Sequence, residues 1–192
     1  MDRKRLKIAV AAILIMAMAT GAIAGQDRSV PRSLVKFAQA TLAGYGADGA
    51  LVALVLKSNA SPQDVARLRA LDARWQQRDG IEEFVKTLMA SPASRRLAAI
   101  IGKHPYLPEA FIMDAQGTII GETNRTSTYW KGEQEKFTAA WAGGTGAIWY
   151  GKLEFDESTR TNAVQVSVPV VSGGRAIGAI CFTVNVDEWE RR

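Results

Sequence analysis

The sequence predicts an α+β fold, with a helical half followed by a β-rich half in the order β-β-α-β-β-β. One change of period and the turn residues that follow it predict this. Apolar residues recur at spacings of three and four from Leu34 to Leu97, and alternate at a spacing of two after His104-Pro105. Turn residues, Asp114-Ala115-Gln116-Gly117 and Ser172-Gly173-Gly174, then punctuate the second half. With 192 residues, 47% apolar and 22% charged, the chain has enough material for a buried core, which excludes wholesale disorder.

The chain opens on the basic stretch MDRKRLK and a 17-residue apolar run that closes on Ala22-Ile23-Ala24. A cationic start, an apolar middle and a small-x-small end form an export signal, either cleaved or kept as an anchor. Both readings place residues 25–192 outside the cytoplasmic membrane, in the periplasm or beyond it. This segment also carries much of the net charge of +5: residues 25–192 hold 20 basic and 18 acidic side chains, a net +2. The basic residues there are scattered, which excludes a phosphate-binding footprint and hence nucleic acid as partner.

Residues 33–60 read as a long helix weakened at Gly44, Gly46 and Gly49. Ser61-Pro62 is expected to cap the next helix, whose stripe is Val65, Leu68, Leu71, Asp72 and Trp75. Two shorter helices follow, the second started by Ser91-Pro92 and closed by Gly102. Residues 109–124 form a hairpin. The segment YWKGEQEKFTAAWAGG is a short helix with Trp130, Gln134, Phe137 and Trp141 along one face, ended by Gly143-Gly144. Three strands complete the chain: GAIWYGKLEF, NAVQVSVPVV and RAIGAICFTVNVD. In the middle one Val164, Val166, Val168 and Val170 share a face, with Gln165 and Ser167 on the other. Pro169 marks a bulge or an unpaired edge position. The last strand is apolar on both faces and suits the centre of a sheet.

One cysteine, Cys181, and one histidine, His104, exclude a disulfide framework and a Cys/His zinc cage. There is no P-loop, dinucleotide fingerprint or nucleophile elbow. Glu154, Asp156 and Glu157 lack the spacing of a calcium loop. No metal, cofactor or catalytic residue is expected, and an enzyme is disfavoured.

The order of elements resembles the extracytoplasmic PAS-like sensor domains called Cache or PDC domains. The residues that carry it are FIMDAQGTIIGETN, TSTYWKGEQEKF and FDESTRTNAVQVSVPVVSGGRAIGAICFTVNVD, spanning about residues 105–187. The resemblance implies a five-stranded antiparallel sheet with helices on one side and a ligand cup between sheet, loops and helix. Its ligand classes are carboxylates, amino acids and amines. The division it implies is a leader over 1–24, an N-terminal helical region over 25–104 and a PAS-like domain over 105–192. Such domains usually sit between two membrane helices. Here no second apolar run of spanning length follows, so the expected output is a separate membrane signalling protein. A homodimer through the N-terminal helix is implied by the same analogy.

Seven of the fifteen aromatic residues fall between Tyr129 and Phe155, beside several polar groups, which suits a small-ligand pocket. The candidate ligand-binding residues are Arg125, Tyr129, Trp130, Trp149, Tyr150, Asp156, Gln165 and Ser167. Arg125 suits a carboxylate, and Asp156 with Trp149 or Tyr150 an ammonium. Asn124 and Thr159 lie nearby. Each has a plainer reading. Phe137 and Trp141 are expected in the core, Asp156 can cap a turn, and only one of Trp149 and Tyr150 can face inward. The alternative function is an envelope protein–protein interaction module with a filled PAS-like core.

Overall fold

The computed structural model describes residues 30–156 and 160–192. The expected leader over residues 1–24 lies outside the described residues, as do Glu157, Ser158 and Thr159 of the loop that follows Asp156.

The long helix of the first half is broken as its glycines imply. Helix α1 (Arg32–Phe37) passes through a π-helical turn (Ala38–Leu42) into α2 (Ala43–Tyr45), then bends by 67° into α3 (Gly49–Asn59). Asp48 fixes the bend. Its Oδ1 accepts from Ala50 N and Leu51 N, and its Oδ2 accepts from Arg96, whose guanidinium holds the carboxyl below its usual range. At Gly46 the helix backbone meets the sheet: a Cβ there would lie 2.0 Å from the Pro169 carbonyl oxygen.

Helix α4 (Val65–Gln77) corrects one expectation. Its cap is Asp64, accepting from Ala66 N and Arg67 N, not Ser61. The reason is Gln63, whose N–H and C=O pair reciprocally with the Gln116 side chain at 2.8 Å each, tying the preceding backbone to the hairpin turn. Helix α5 (Glu82–Met89) and α6 (Pro92–Ile101) follow. Ser91 caps α6 through Ser94 N at 3.1 Å, as its sequence predicts.

The strands are β1 (Glu109–Met113), β2 (Ile119–Glu122), β3 (Trp149–Tyr150), β4 (Glu154–Asp156), β5 (Thr161–Ser172) and β6 (Arg175–Asn185). Their order is β2-β1-β6-β5-β3, antiparallel throughout, with β4 also on β5. Strands β3 and β4 share one edge lane. Tyr150 pairs with Val166 and Glu154 with Ala163, so four steps on the edge match three on β5, and the extra residue bulges out. The single expected strand is thus two short ones, and the expected five strands are five lanes. Strand β6 is central and buried on both faces, as expected. Pro169 lies beyond the end of β3, on a stretch of β5 paired on one side only.

Helices cover both faces of the sheet, not one. On the first face α1, α3 and α6 pack Leu34, Leu51, Val55, Leu97 and Ile100 against Ile112, Val164, Val166, Val168, Ile180 and Phe182. On the second face Leu68 and Trp75 of α4, Ile81 and Leu88 around α5, and Phe137 and Ala140 of α7 (Glu135–Trp141) pack on Phe111, Met113, Ala179 and Cys181. A final helix unforeseen in the sequence, α8 (Val186–Arg191), buries Trp189 against Phe37 and Tyr106.

Candidate functional site

The second face of the sheet forms the wall of a cup. Alternation places Ala163, Gln165 and Ser167 of β5 on it, opposite Asn185, Thr183 and Cys181 of β6. Pairing puts Glu154 beside Ala163, and Trp149 beside Ser167. Helix α7 lies across this wall, with Phe137 and Trp141 stacked at 5.6 Å in the core as expected. Between the start of α7 and the edge lane opens a cleft of about 490 Å³, lined by Lys136, Trp149, Glu154, Asp156, Ala163 and Gln165 among others. Lys136 Nζ donates to Gln165 Oε1 at 2.5 Å, bridging helix and sheet. The short side chain of Ala163 leaves room between the two carboxylates and Gln165.

Three of the eight candidate residues meet in this cleft: Trp149, Asp156 and Gln165. Ser167 lies one step deeper on the same face, 0% exposed, beneath Trp149 and beside Cys181. Tyr150 points the other way, into the first-face core, and burial pushes its phenol up. The remaining three belong to a different structure. Arg125 stacks 4.8 Å over the Trp75 ring and donates to Trp75 O at 2.5 Å. Tyr129 is buried against Trp75 and Phe84, and burial raises its phenol to about 12. Trp130 donates from Nε1 to Gln116 O at 2.7 Å and lies under the Arg69 guanidinium. Asp72 ties the last two to α4 by accepting from Tyr129 N at 2.6 Å and Trp130 N at 3.1 Å. Arg125 also borders a groove on the outer side of α5, with Val85, Lys86 and Met89, away from the cup.

Sequence reasoning missed Lys136 and two buried charges. Glu154 and Asp156, two apart on a strand, carry the period that places both at the cleft. Lys136 carries none, because a lysine on a short helix reads as solvated. The buried pair is Glu122, 0% exposed, and Lys131, 2% exposed. Glu122 pairs in register with Phe111 and so stands on the cup wall, and Lys131 Nζ lies 5.4 Å over that same Phe111 ring. Burial raises the Glu122 carboxyl to about 7 and lowers the Lys131 ammonium to about 8. Neither forms an ion pair among the described residues.

A helix laid across one face of a five-lane antiparallel sheet, with a polar cleft at its start, is the architecture implied by the resemblance. The fold is PAS-like. No protein-family model and no curated protein matches the chain. Solved structures to which it is similar include the sensor domain of the V. cholerae histidine kinase DctB, at 13% identity and a TM-score of 0.46, covering 83% of this chain and 51% of that one. The ligand-binding domain of the Pseudomonas aeruginosa amino acid chemoreceptor PctC, in complex with GABA, is 14% identical with a TM-score of 0.41, over 65% of this chain and 59% of that one. The sensory domain of the Campylobacter jejuni chemoreceptor Tlp3 is 9% identical with a TM-score of 0.42, over 73% and 61%. This chain therefore spans between about half and three-fifths of the length of these domains.

Proposed function

We propose that this protein is an extracytoplasmic sensory domain of the Cache/PDC kind that binds a small polar metabolite and relays its occupancy to a membrane signalling protein. The observation that carries the reading is the convergence of Trp149, Asp156, Gln165 and Lys136 on one cleft of about 490 Å³. That volume suits a small ligand, for which sites of roughly 300–1,000 Å³ are usual. Trp149 offers a π-face to an ammonium, and Asp156 and Glu154 offer it carboxylates. Lys136 supplies the positive charge for a carboxylate, the part expected of Arg125, which is committed to Trp75. The cleft therefore suits an amine or a molecule carrying both an ammonium and a carboxylate.

A thermal-shift screen against carboxylates, amino acids and amines tests this. A ligand at 100 times its dissociation constant adds ~2.7 kcal/mol, which raises Tm by roughly 5–11 °C for a domain of this size. Trp149→Ala and Asp156→Asn are expected to abolish the shift and Arg125→Ala to keep it. The reverse pattern would move the site away from the cleft.

A second reading has an observation in its favour. Phe111, Met113, Tyr129 and Phe137 fill the inner cup, as they would in an interaction module with a closed core. No shift across the whole screen selects that reading.

A further inference from the structure

We propose that Glu122 and Lys131 form a proton-operated latch that regulates the cleft through residues 126–136, which join the pair to the start of α7. As a statement about regulation, this rests on the cleft being the binding site. The titration itself needs no ligand.

Hydrogen bonds linked through the backbone of Thr126 and Thr128 carry the argument. Glu122 Oε2 accepts from Thr126 N at 3.1 Å, while Oε1 has no hydrogen-bond partner among the described residues. Thr126 Oγ1 donates to Thr128 O at 2.7 Å. Thr128 Oγ1 in turn accepts from Lys131 Nζ and, at 2.9 Å, from Gln134 Nε2. Gln134 is the residue that precedes α7, and the next two, Glu135 and Lys136, line the cleft.

The surroundings of both groups are defined. Glu122 feels the positive charges of Lys131 and Arg125 and lies near Tyr129, which also faces Asp114. Lys131 feels Lys136 from α7, Cys181 from β6, Asp72 from α4 and Glu122 from β2. Glu109 of β1 accepts from Thr183 Oγ1 at 2.7 Å. The charges of α5, Glu82, Glu83 and Lys86, are exposed. On α6, Arg95 is exposed and Arg96 is held by Asp48.

With Glu122 protonated, the pair carries one charge, and Lys131 stays on Thr128. Loss of the proton from Glu122 leaves a buried carboxylate with the backbone N–H and side chain of Thr126 for solvation and Oε1 without a partner, which is costly in an apolar wall. Of the two cations that Glu122 feels, Arg125 is held on Trp75, which leaves Lys131 to relieve it. Turning its ammonium toward Glu122 takes it off Thr128 and leaves Gln134 as the remaining donor there. The turn before α7 loosens, and Lys136 moves relative to Gln165. A rise of pH through about 7 thus loosens one wall of the cleft while Lys131 keeps its charge, up to about 8, and acid conditions lock it.

Backbone amide NMR of the protein, titrated from about pH 5 to about pH 9 without ligand, tests the latch. The amides of Thr126, Thr128, Gln134 and Lys136 are expected to move together with a midpoint near the raised value of about 7. In Glu122→Gln the movement near 7 disappears, and only the change near 8 from Lys131 itself remains. In Lys131→Met the Thr126 amide still titrates, while Gln134 and Lys136 no longer follow. His104 does not confuse the reading, because it is bonded to Tyr45 and Tyr106, outside the cup. Amides at Gln134 and Lys136 that stay still near 7, or that keep the same step near 7 in Glu122→Gln, overturn the proposal. If Glu122→Gln does not fold, the side-chain carboxyl carbon of Glu122 in the unsubstituted protein decides. A midpoint in the ordinary carboxyl range, about 4.3, overturns the latch. Failure here with a positive ligand screen leaves the cleft standing, and the opposite result leaves the proton device without a ligand to regulate.

Discussion

At the scale of single residues, burial sets the sign of the pH dependence. The Glu122 carboxyl rises from 4.5 to about 7 on folding, so the folded state holds a proton the unfolded chain releases first. Its stabilising share is complete below the unfolded value and is lost as pH rises through the folded one. The loss is roughly 3 kcal/mol at most, at ~1.4 kcal/mol per unit. Lys131 runs the other way: lowered from 10.5 to about 8, its share is present above the unfolded value and is lost as pH falls through the folded one. Urea unfolding is therefore expected to show Glu122→Gln flattening the fall in stability between about 4.5 and about 7, the unfolded and folded values of the carboxyl. The same measurement should show Lys131→Met gaining more at acid than at strongly alkaline pH; an equal gain at both would contradict the assignment. Neither residue was legible in the sequence, because a charged side chain carries no mark of burial. Gln165, Ser167 and Trp149 were more legible, since strand alternation puts them on one face once the register is known. Arg125, Tyr129 and Trp130 read as pocket residues because their partners Trp75, Phe84 and Arg69 come from helices some fifty residues upstream, and no local pattern announces that contact.

At the scale of elements, two substitutions that look alike in sequence separate sharply. Asp64→Ala removes the cap of α4 and should cost ~1 kcal/mol, whereas Ser61→Ala should leave the Tm unchanged. Ser91-Pro92 and Ser61-Pro62 carry the same start signal, and only the first is obeyed, because Gln116 holds Gln63 outside the second helix. Glycines give a second contrast. Gly44→Ala sits in a helix with open space around it and should stabilise by ~0.5–1 kcal/mol. Gly46→Ala drives a methyl into the Pro169 carbonyl and should lower the Tm markedly, although helix propensity favours alanine at both. Equal effects in a thermal melt would refute the docking of the bend on β5. The hairpins, α6 and the central strand were legible because turn residues and period agreed. Helix α8 was hidden because four of its six residues are charged, and only Val186 and Trp189 carry its buried face.

At the scale of the whole molecule, the sheet is a shared wall with a helical layer on each side. The first-face layer joins the beginning and end of the described chain: Trp189 packs on Phe37, and its Nε1 donates to Ser33 Oγ at 3.1 Å. Trp189→Ala should therefore cost about 3–5 kcal/mol in chemical denaturation, while leaving the ligand response of the cleft, on the opposite face, unchanged. A loss of that response at a temperature where the variant is folded would show that the two faces are coupled. The layered arrangement also determines what can reach Cys181. It is the one cysteine of the chain, fully buried on the cup side of the central strand, with burial raising its thiol. A thiol-reactive dye meets it when β6 parts from the layer above, so the rate of labelling counts openings of the core. At the same time, a cysteine introduced on the surface would react alone in the native protein. A fluorophore can thus be placed beside the cleft without first removing the natural thiol.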